Sequence, residues 1–264
     1  MKRNCIIIFI LSLIVMSCNS GYKGDDTIVE IETDYGKIKV RLYSETPLHR
    51  DSFLRMITDS AYTGFLIHRV DRDFVIQAGD AIPDSATATI RPEIDGAYPK
   101  YFHKYGALAA PRWGDERNPS KESEGNQFYI VTGTKYTDYT LKTLEEKRVE
   151  DYEENIYNKL VKENKDTIDI LYARNDKEAL SALDNQLTAQ AKEEADAKKG
   201  SLLFTDEQKE TYKSIGGTPF LDGEYTVFGE VIEGMDVVEK IQKVKVDDKD
   251  RPLKDIKLKM SVIQ

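Results

Sequence analysis

Between residues 65 and 80 the chain reads FLIHRVDRDFVIQAGD, and this stretch decides the fold. Apolar, β-branched and aromatic residues dominate 65–70 and 74–77, so both segments are predicted to form short strands. Arg69 and Gln77 interrupt the apolar pattern. Arginine is permanently charged and carries five donors, so its place among Phe, Ile and Val needs a reason. Two interpretations stay open on these residues alone: Arg69 points into a ligand groove, or it forms a structural salt bridge.

On both sides of this stretch the sequence predicts a mainly β fold. Residues 27–33 and 37–42 alternate apolar and polar positions and predict an antiparallel hairpin. Thr46 and Pro47 predict a helix start in which the Thr46 hydroxyl caps free amides. Further short strands and one short helix are predicted at 107–110, 127–131, 227–232 and 256–263, and at 235–241. Many short strands with two helices predict a closed antiparallel barrel whose last strand pairs with its first.

Residues 138–214 have a different composition, rich in Glu, Lys, Ala and Leu. Apolar residues recur there at helical spacing and predict two amphipathic helices, one containing Leu141, Leu144, Tyr152, Ile156 and Leu160 and the other Leu180, Leu183 and Leu187. The run Thr205-Asp-Glu-Gln208 predicts a capping box that opens a shorter third helix, and Gly216 and Gly217 end it. The predicted organisation is a helical insertion, 138–214, between two parts of one barrel, 27–137 and 215–264.

Three blocks of sequence resemble one protein family. They are the run at 65–80, GNQFYIV at 125–131, and TPFLDGEYTVFGEVIEGMDVVEKI at 218–241. In the same order, they are similar to cyclophilin-type peptidyl-prolyl cis/trans isomerases. The resemblance covers about 28–136 and 215–264, and the segment between is foreign to it. It implies a closed eight-stranded cyclophilin-like barrel capped by two helices, and an isomerase that needs no cofactor.

The resemblance also implies the site residues. Arg69 matches the family's catalytic arginine, Gln77 matches the glutamine that hydrogen-bonds the substrate backbone, and Phe74 completes the implied catalytic set. The residues implied to bind the proline ring and the peptide around it are His68, Val75, Pro111, Arg112, Gln127, Phe128, Tyr129, Phe220, Leu221 and Tyr225.

Several positions depart from the family pattern. Tyr129 stands where the family has phenylalanine, so its hydroxyl must find a partner or cost affinity. Phe220 replaces a tryptophan whose indole N–H cyclosporin-type ligands use, so weak cyclosporin binding is expected. Pro111 and Arg112 replace a small residue and an asparagine, which alters the peptide-binding edge.

The three histidines carry no predicted catalytic or metal role. The reaction moves no proton, so His68 is expected to be a hydrogen-bonded strand residue and not a general base. His49 and His103 stand apart in the sequence without metal-ligand spacing, so no metal site is predicted.

The amino terminus predicts targeting to the cell envelope. Lys2 and Arg3 precede an apolar run, 6–16, that is shorter than the roughly 20 residues a spanning helix needs. Val15-Met-Ser-Cys18 resembles a bacterial lipobox, so residues 1–17 are expected to be a signal peptide, Cys18 the lipidated residue, and 18–26 a tether. The alternative is an ordinary cysteine of a secretory signal. The expected location is extracytoplasmic, on the periplasmic face of a bacterial membrane.

Charge and family resemblance together predict the partners. The formal net charge of −9 repels phosphate backbones, so no nucleic-acid partner is expected. Proline-containing polypeptides are the expected clients of an isomerase that assists folding of exported proteins. Two alternatives are a peptide-binding or holdase module on the same barrel, and a structural lipoprotein whose helices bind an envelope partner. The insertion begins and ends between Tyr129 and Phe220, so it is expected to emerge beside the groove. It is expected to act as a lid or client-binding arm; the alternative is a solvent-exposed segment that packs on the barrel away from the substrate.

Overall fold

The computed structural model describes residues 27–58, 65–79, 89–94 and 100–264. The predicted signal peptide, Cys18 and the tether lie outside the described residues.

The predicted barrel is confirmed. Eight antiparallel strands close in the order β1-β10-β3-β4-β8-β6-β9-β2, and β2 pairs back onto β1. The barrel strands are β1 (Thr27–Thr33), β2 (Gly36–Leu42), β3 (Leu66–Asp71), β4 (Val75–Gly79), β6 (Ala107–Ala109), β8 (Gln127–Val131), β9 (Val227–Glu233) and β10 (Ile256–Val262). The last strand pairs with the first, Val29 lying opposite Val262, so the barrel leaves no open edge.

Side chains from alternate strand positions fill the barrel, and two helices, α1 (Pro47–Thr58) and α6 (Met235–Ile241), pack against that core. Phe53 of α1 meets Phe128 of β8 edge to face, with ring centroids 5.1 Å apart. Val238 and Ile241 of α6 are fully buried in the same cluster. The apolar faces of both helices therefore cap the barrel, as the sequence predicts.

Helix α1 begins where the sequence predicts, but its cap is a different residue. The Thr46 hydroxyl lies against the Tyr43 carbonyl, 3.4 Å away, and does not cap the helix. The Glu93 carboxylate instead accepts the backbone N–H groups of Leu48 and His49, both at 3.0 Å. A carboxylate suits the positive end of a helix better than a hydroxyl does, and only the tertiary fold brings Glu93 there.

A small two-stranded sheet, β5 (Thr89–Ile90) and β7 (Ser123–Glu124), holds this cap in place and was absent from the sequence prediction. His49 is buried between Glu93, 2.7 Å from Nδ1, and Ser123, 2.9 Å from Nε2. Burial lowers the pKa of His49, and Glu93 opposes that shift. Two-residue strands carry too little pattern to be seen in a sequence.

The segment 138–214 forms four helices, where the sequence predicts three. They are α2 (Asp138–Glu163), α3 (Lys165–Ala173), α4 (Lys177–Leu202) and α5 (Asp206–Ser214). The predicted capping box of Thr205 and Gln208 at the start of α5 is confirmed. The missed helix, α3, has only nine residues and buries none of them.

Two apolar clusters divide the long α2–α4 hairpin. Near the barrel, Leu141, Phe204 and Tyr212 pack on Phe102. Farther along, Ile156 and Leu160 of α2 pack on α4 at 187 and 191. The hairpin is thus fastened at its base and held together separately along its length. Within the part of the chain that the structure describes, every helix is too short or too polar to cross a membrane.

The cap on α1 gives a stability prediction. We expect Glu93→Ala to lower the free energy of unfolding by about 1–2 kcal/mol, because two helix amides and the buried His49 ring lose their acceptor. Urea denaturation measures the change. Glu32→Ala, an exposed site on β1, is the control and should stay within about 0.5 kcal/mol of the parent. Equal stability of the two variants would contradict the capping role.

Candidate functional site

A pocket of about 330 Å³ opens on the outer face of β3, β4 and β8. Successive strand residues point to opposite faces, so Val75 and Gln77 face outward while Ile76 and Ala78 enter the core. The lining side chains are those of His68, Arg69, Phe74, Val75, Gln77, Pro111, Arg112, Trp113, Glu124, Gln127, Tyr129, Leu221 and Tyr225. All but Trp113 and Glu124 belong to the set implied by the sequence resemblance, so one concave site gathers residues from distant parts of the chain.

A β-bulge in β3 explains why Arg69 stands in an apolar strand. Ile67 pairs with Ala78 and Arg69 with Gln77, which leaves His68 as an extra residue between them. Strict alternation would place Arg69 on the same face as Ile67, which points into the core. The extra residue turns His68 and Arg69 both toward the pocket, while Val70 returns to the core.

Arg69 both lines the pocket and forms ion pairs with carboxylates. Its guanidinium lines the pocket, 5.7 Å from the centre of the Phe74 ring. Its Nη2 also lies 2.7 Å from Asp71 Oδ2, and its Nε lies 3.6 Å from Asp250 Oδ2. About a third of each of the Arg69 and Asp71 side chains is exposed. Water therefore screens this ion pair, which contributes roughly 0–1 kcal/mol to the free energy of unfolding. The guanidinium is therefore oriented without being locked away from a ligand.

Three strands place three side chains in one row across the pocket. Arg69 lies opposite Gln77, and Gln77 lies opposite Tyr129. Gln77 Nε2 donates a hydrogen bond of 2.7 Å to Gln127 Oε1, which fixes the amide at the pocket wall. The row offers a cation, an amide and an aromatic ring to one extended chain.

The structure moves Phe128 out of the implied binding set. Phe128 is 2% exposed and packs in the barrel core against Phe53. Its neighbours Gln127 and Tyr129 face the pocket, so the side chain between them must face inward. Phe220 does not line the pocket itself. It is 48% exposed and stacks on Phe74 with ring centroids 5.7 Å apart, which extends the apolar margin.

Arg112 supports the opposite wall. Its side chain is 4% exposed, and it donates to the Glu224 carbonyl at 2.8 Å and to Glu224 Oε2 at 2.9 Å. The guanidinium also lies 4.7 Å over the Tyr225 ring. Arg112 thus packs over Tyr225 at the pocket wall, and Pro111 lines the pocket beside it. Beside them, burial raises the pKa of Glu124, although hydrogen bonding from Trp113 opposes the shift.

The Tyr129 hydroxyl finds its partner beneath the pocket floor. The residue is 4% exposed, and its oxygen lies 2.9 Å from His103 Nε2. Burial raises the pKa of Tyr129 well above its usual range. The ring therefore faces the pocket while the hydroxyl turns into the protein. Sequence reasoning missed His103, which lies 26 residues from Tyr129 in the chain and belongs to no recognisable motif.

These contacts define what the site can do. Phe74, Val75 and Leu221 offer an apolar surface suited to a small ring, while Arg69 and Gln77 offer donors at its edge. The described residues hold no cluster of His, Cys, Asp and Glu able to bind a metal ion. Such a site can grip an extended peptide at one apolar residue and present a cation to the backbone beside it.

Comparison with known proteins identifies the family that the sequence resembles. A family model described as "Cyclophilin type peptidyl-prolyl cis-trans isomerase/CLD" matches residues 28–169 and 189–262, well over half of the chain. The match enters the helical insertion from both sides, so the expectation that 138–214 is entirely foreign to the family was wrong.

Curated relatives carry the same family name, and a solved structure shares the fold. A putative peptidyl-prolyl cis-trans isomerase of Staphylococcus saprophyticus is 24% identical over 242 residues, which cover 90% of this chain and 92% of that protein. A second, from Staphylococcus haemolyticus, is 25% identical over 90% of this chain and 91% of its own. A crystal structure of a Cryptosporidium parvum cyclophilin type peptidyl-prolyl cis-trans isomerase shares the fold, with a TM-score of 0.53 and 17% identity over 90% of this chain and 98% of that one.

Proposed function

The chain belongs to the family of cyclophilin-type peptidyl-prolyl cis-trans isomerases, and we propose that the pocket beside Arg69 accelerates rotation about X-Pro bonds in exported proteins as they fold. The observation that carries this proposal is the row of Arg69, Gln77 and Tyr129 across an apolar socket. A related structure was determined in the presence of the dipeptide Ala-Pro, which supports a proline-sized ligand for this class of site.

The chemistry requires no covalent step. The barrier to rotation is roughly 20 kcal/mol because the amide must lose its resonance. In the twisted state the prolyl nitrogen regains a lone pair, so a donor aimed there stabilises that state more than either planar form. Arg69 supplies the donor, Phe74 and Leu221 seat the ring, and Gln77 holds the substrate backbone.

The proposed location follows from the amino terminus. Lys2 and Arg3, the apolar run and Cys18 support a lipid-anchored protein on the periplasmic side of a bacterial membrane. Unassisted proline isomerisation takes about 10–100 s, which is slow enough to limit the rate of folding. An isomerase tethered there would contact its clients as they emerge from the membrane in an unfolded state.

A second candidate function is client holding, and one observation favours it. Helix α3 lies at the far end of the insertion, where Ile170 is 51% exposed and Tyr172 is 69% exposed. Exposed apolar side chains at the tip of an arm suit transient contact with unfolded chains. Holding and isomerisation are compatible, because the tip and the pocket are separate surfaces.

The catalytic proposal is tested at Arg69. We expect Arg69→Ala to slow cis-to-trans conversion of a proline tetrapeptide on the order of 10²-fold, because the twisted amide loses its donor. Arg50→Ala, which removes a surface arginine of α1 paired with Asp51, is the matched control and should keep the parent rate. Equal rates for Arg69→Ala and the parent would remove the mechanism.

The holding function is tested on α3. Replacing Ile170 and Tyr172 by Ser should leave the tetrapeptide rate within about twofold of the parent, since sites without shared partners act independently. The same change should reduce protection of a refolding client from aggregation, measured by light scattering. Serine at the exposed α4 positions Gln186 and Gln190 is the control. Undiminished protection in the α3 variant would leave isomerisation as the whole function.

Weak cyclosporin binding is proposed on the basis of Phe220. Phe220→Trp restores an indole donor at a half-exposed position, so we expect cyclosporin to bind about tenfold more tightly, as one good hydrogen bond allows. Titration calorimetry measures the change, with Phe220→Leu as the control. A parent protein that already binds as tightly as Phe220→Trp would contradict the proposal.

A further inference from the structure

A chain of buried polar side chains runs from the pocket floor to the helical insertion. The Tyr129 hydroxyl lies 2.9 Å from His103 Nε2, and His103 Nδ1 lies 2.9 Å from Asp222 Oδ1. The Tyr212 hydroxyl of α5 lies 2.6 Å from Asp222 Oδ2. Each of the four residues is less than 7% exposed. The network therefore joins the barrel to the insertion inside the protein, shielded from water.

The direction of each hydrogen bond follows from the carboxylate. Asp222 only accepts, so His103 must carry its proton on Nδ1, and the backbone N–H of His103 donates to the same oxygen at 2.8 Å. With the His103 ring in its neutral form, Nε2 accepts a hydrogen bond from the Tyr129 hydroxyl. Every member has a partner, so the network has one favoured arrangement and fixes the position of each ring.

The insertion supplies the groups that make the buried carboxylate tolerable. The Asp222 side chain is fully buried, and burying a carboxylate is costly unless it is paired. Tyr212 donates to Oδ2, and Arg148 of α2 places Nη2 3.8 Å from the same oxygen. Both come from the segment 138–214.

Arg148 also acts on the pocket wall. Its Nη2 donates a hydrogen bond of 2.6 Å to the Pro219 carbonyl, and its guanidinium lies 4.2 Å over the Phe204 ring. Pro219 opens the short 3₁₀ helix Pro219–Leu221, which carries Phe220 and the socket residue Leu221. The insertion thus contacts the segment that forms one side of the socket as well as the network beneath its floor.

We propose that Tyr212 and Arg148 are positioning residues for the proline socket, acting through Asp222 and His103 on Tyr129 and through Pro219 on Leu221. This inference rests on the proposed isomerase function. The helical insertion is then part of the active site's support, and its base cannot be removed without loosening the pocket.

The test separates positioning from simple stability. Tyr212→Phe removes one hydroxyl and keeps the ring that packs on Phe102 and Phe204. A looser socket grips the proline ring less well in ground and transition states alike, so KM for a proline tetrapeptide should rise about three- to tenfold at unchanged kcat. A purely structural role would lower the folded fraction, and with it apparent kcat, at unchanged KM.

Two further measurements make the result decisive. The dissociation constant of the dipeptide Ala-Pro, followed by the fluorescence of Trp113, the single tryptophan of the chain and a pocket-lining residue, should rise in parallel with KM. Tyr157→Phe is the matched control, since it deletes a hydroxyl that bonds Asp184 within the same insertion but away from the socket. Tyr157→Phe should change neither KM nor the dissociation constant of Ala-Pro.

A double-variant cycle tests the route. Since Tyr129 and Tyr212 act in one network, Tyr129→Phe combined with Tyr212→Phe should raise KM little more than the larger single effect. Unchanged KM in Tyr212→Phe, or fully multiplicative effects on KM in the double variant, would overturn the inference. If the parent protein isomerises the tetrapeptide in the same assay, the isomerase function stands in either case. An inactive parent protein would overturn the isomerase function, and the inference with it.

Discussion

The structure depends on the alternation of side chains along strands that close into a barrel. Alternation sends Ile76, Phe128 and Ile130 into the core and Gln77, Gln127 and Tyr129 to the outer face. One departure from it, the bulge at His68, turns Arg69 outward into the pocket. Core and site are therefore opposite faces of the same three strands, and a change of register would damage both.

Much of this was predictable because strand alternation and helix caps are local. The hairpin of β1 and β2, helix α6 and the capping box of α5 form where short-range pattern predicts them. The family resemblance added the members of the pocket, which periodicity alone cannot gather from segments so far apart. It placed Phe128 in the pocket as well, although alternation along β8 argues against a third outward residue in a row.

What the sequence did not reveal depends on distant tertiary contacts. Glu93 caps a helix that begins 46 positions before it only because β5 and β7 bring it there. The pairing of His103 with Asp222 spans 119 residues, and Tyr212 joins them from an inserted segment. Buried polar networks of this kind have no periodicity, since each member occupies a different element and contributes one hydrogen bond.

The length of the arm sets a geometric condition on any chain that contacts both its tip and its base. Helices α2 and α4 have 26 residues each, which corresponds to about 39 Å of helix between base and tip. A polypeptide must be extended over roughly 12 residues to cover that distance. Contact with both ends of the arm at once therefore requires an extended segment, and a chain compacted below this length can contact only one end.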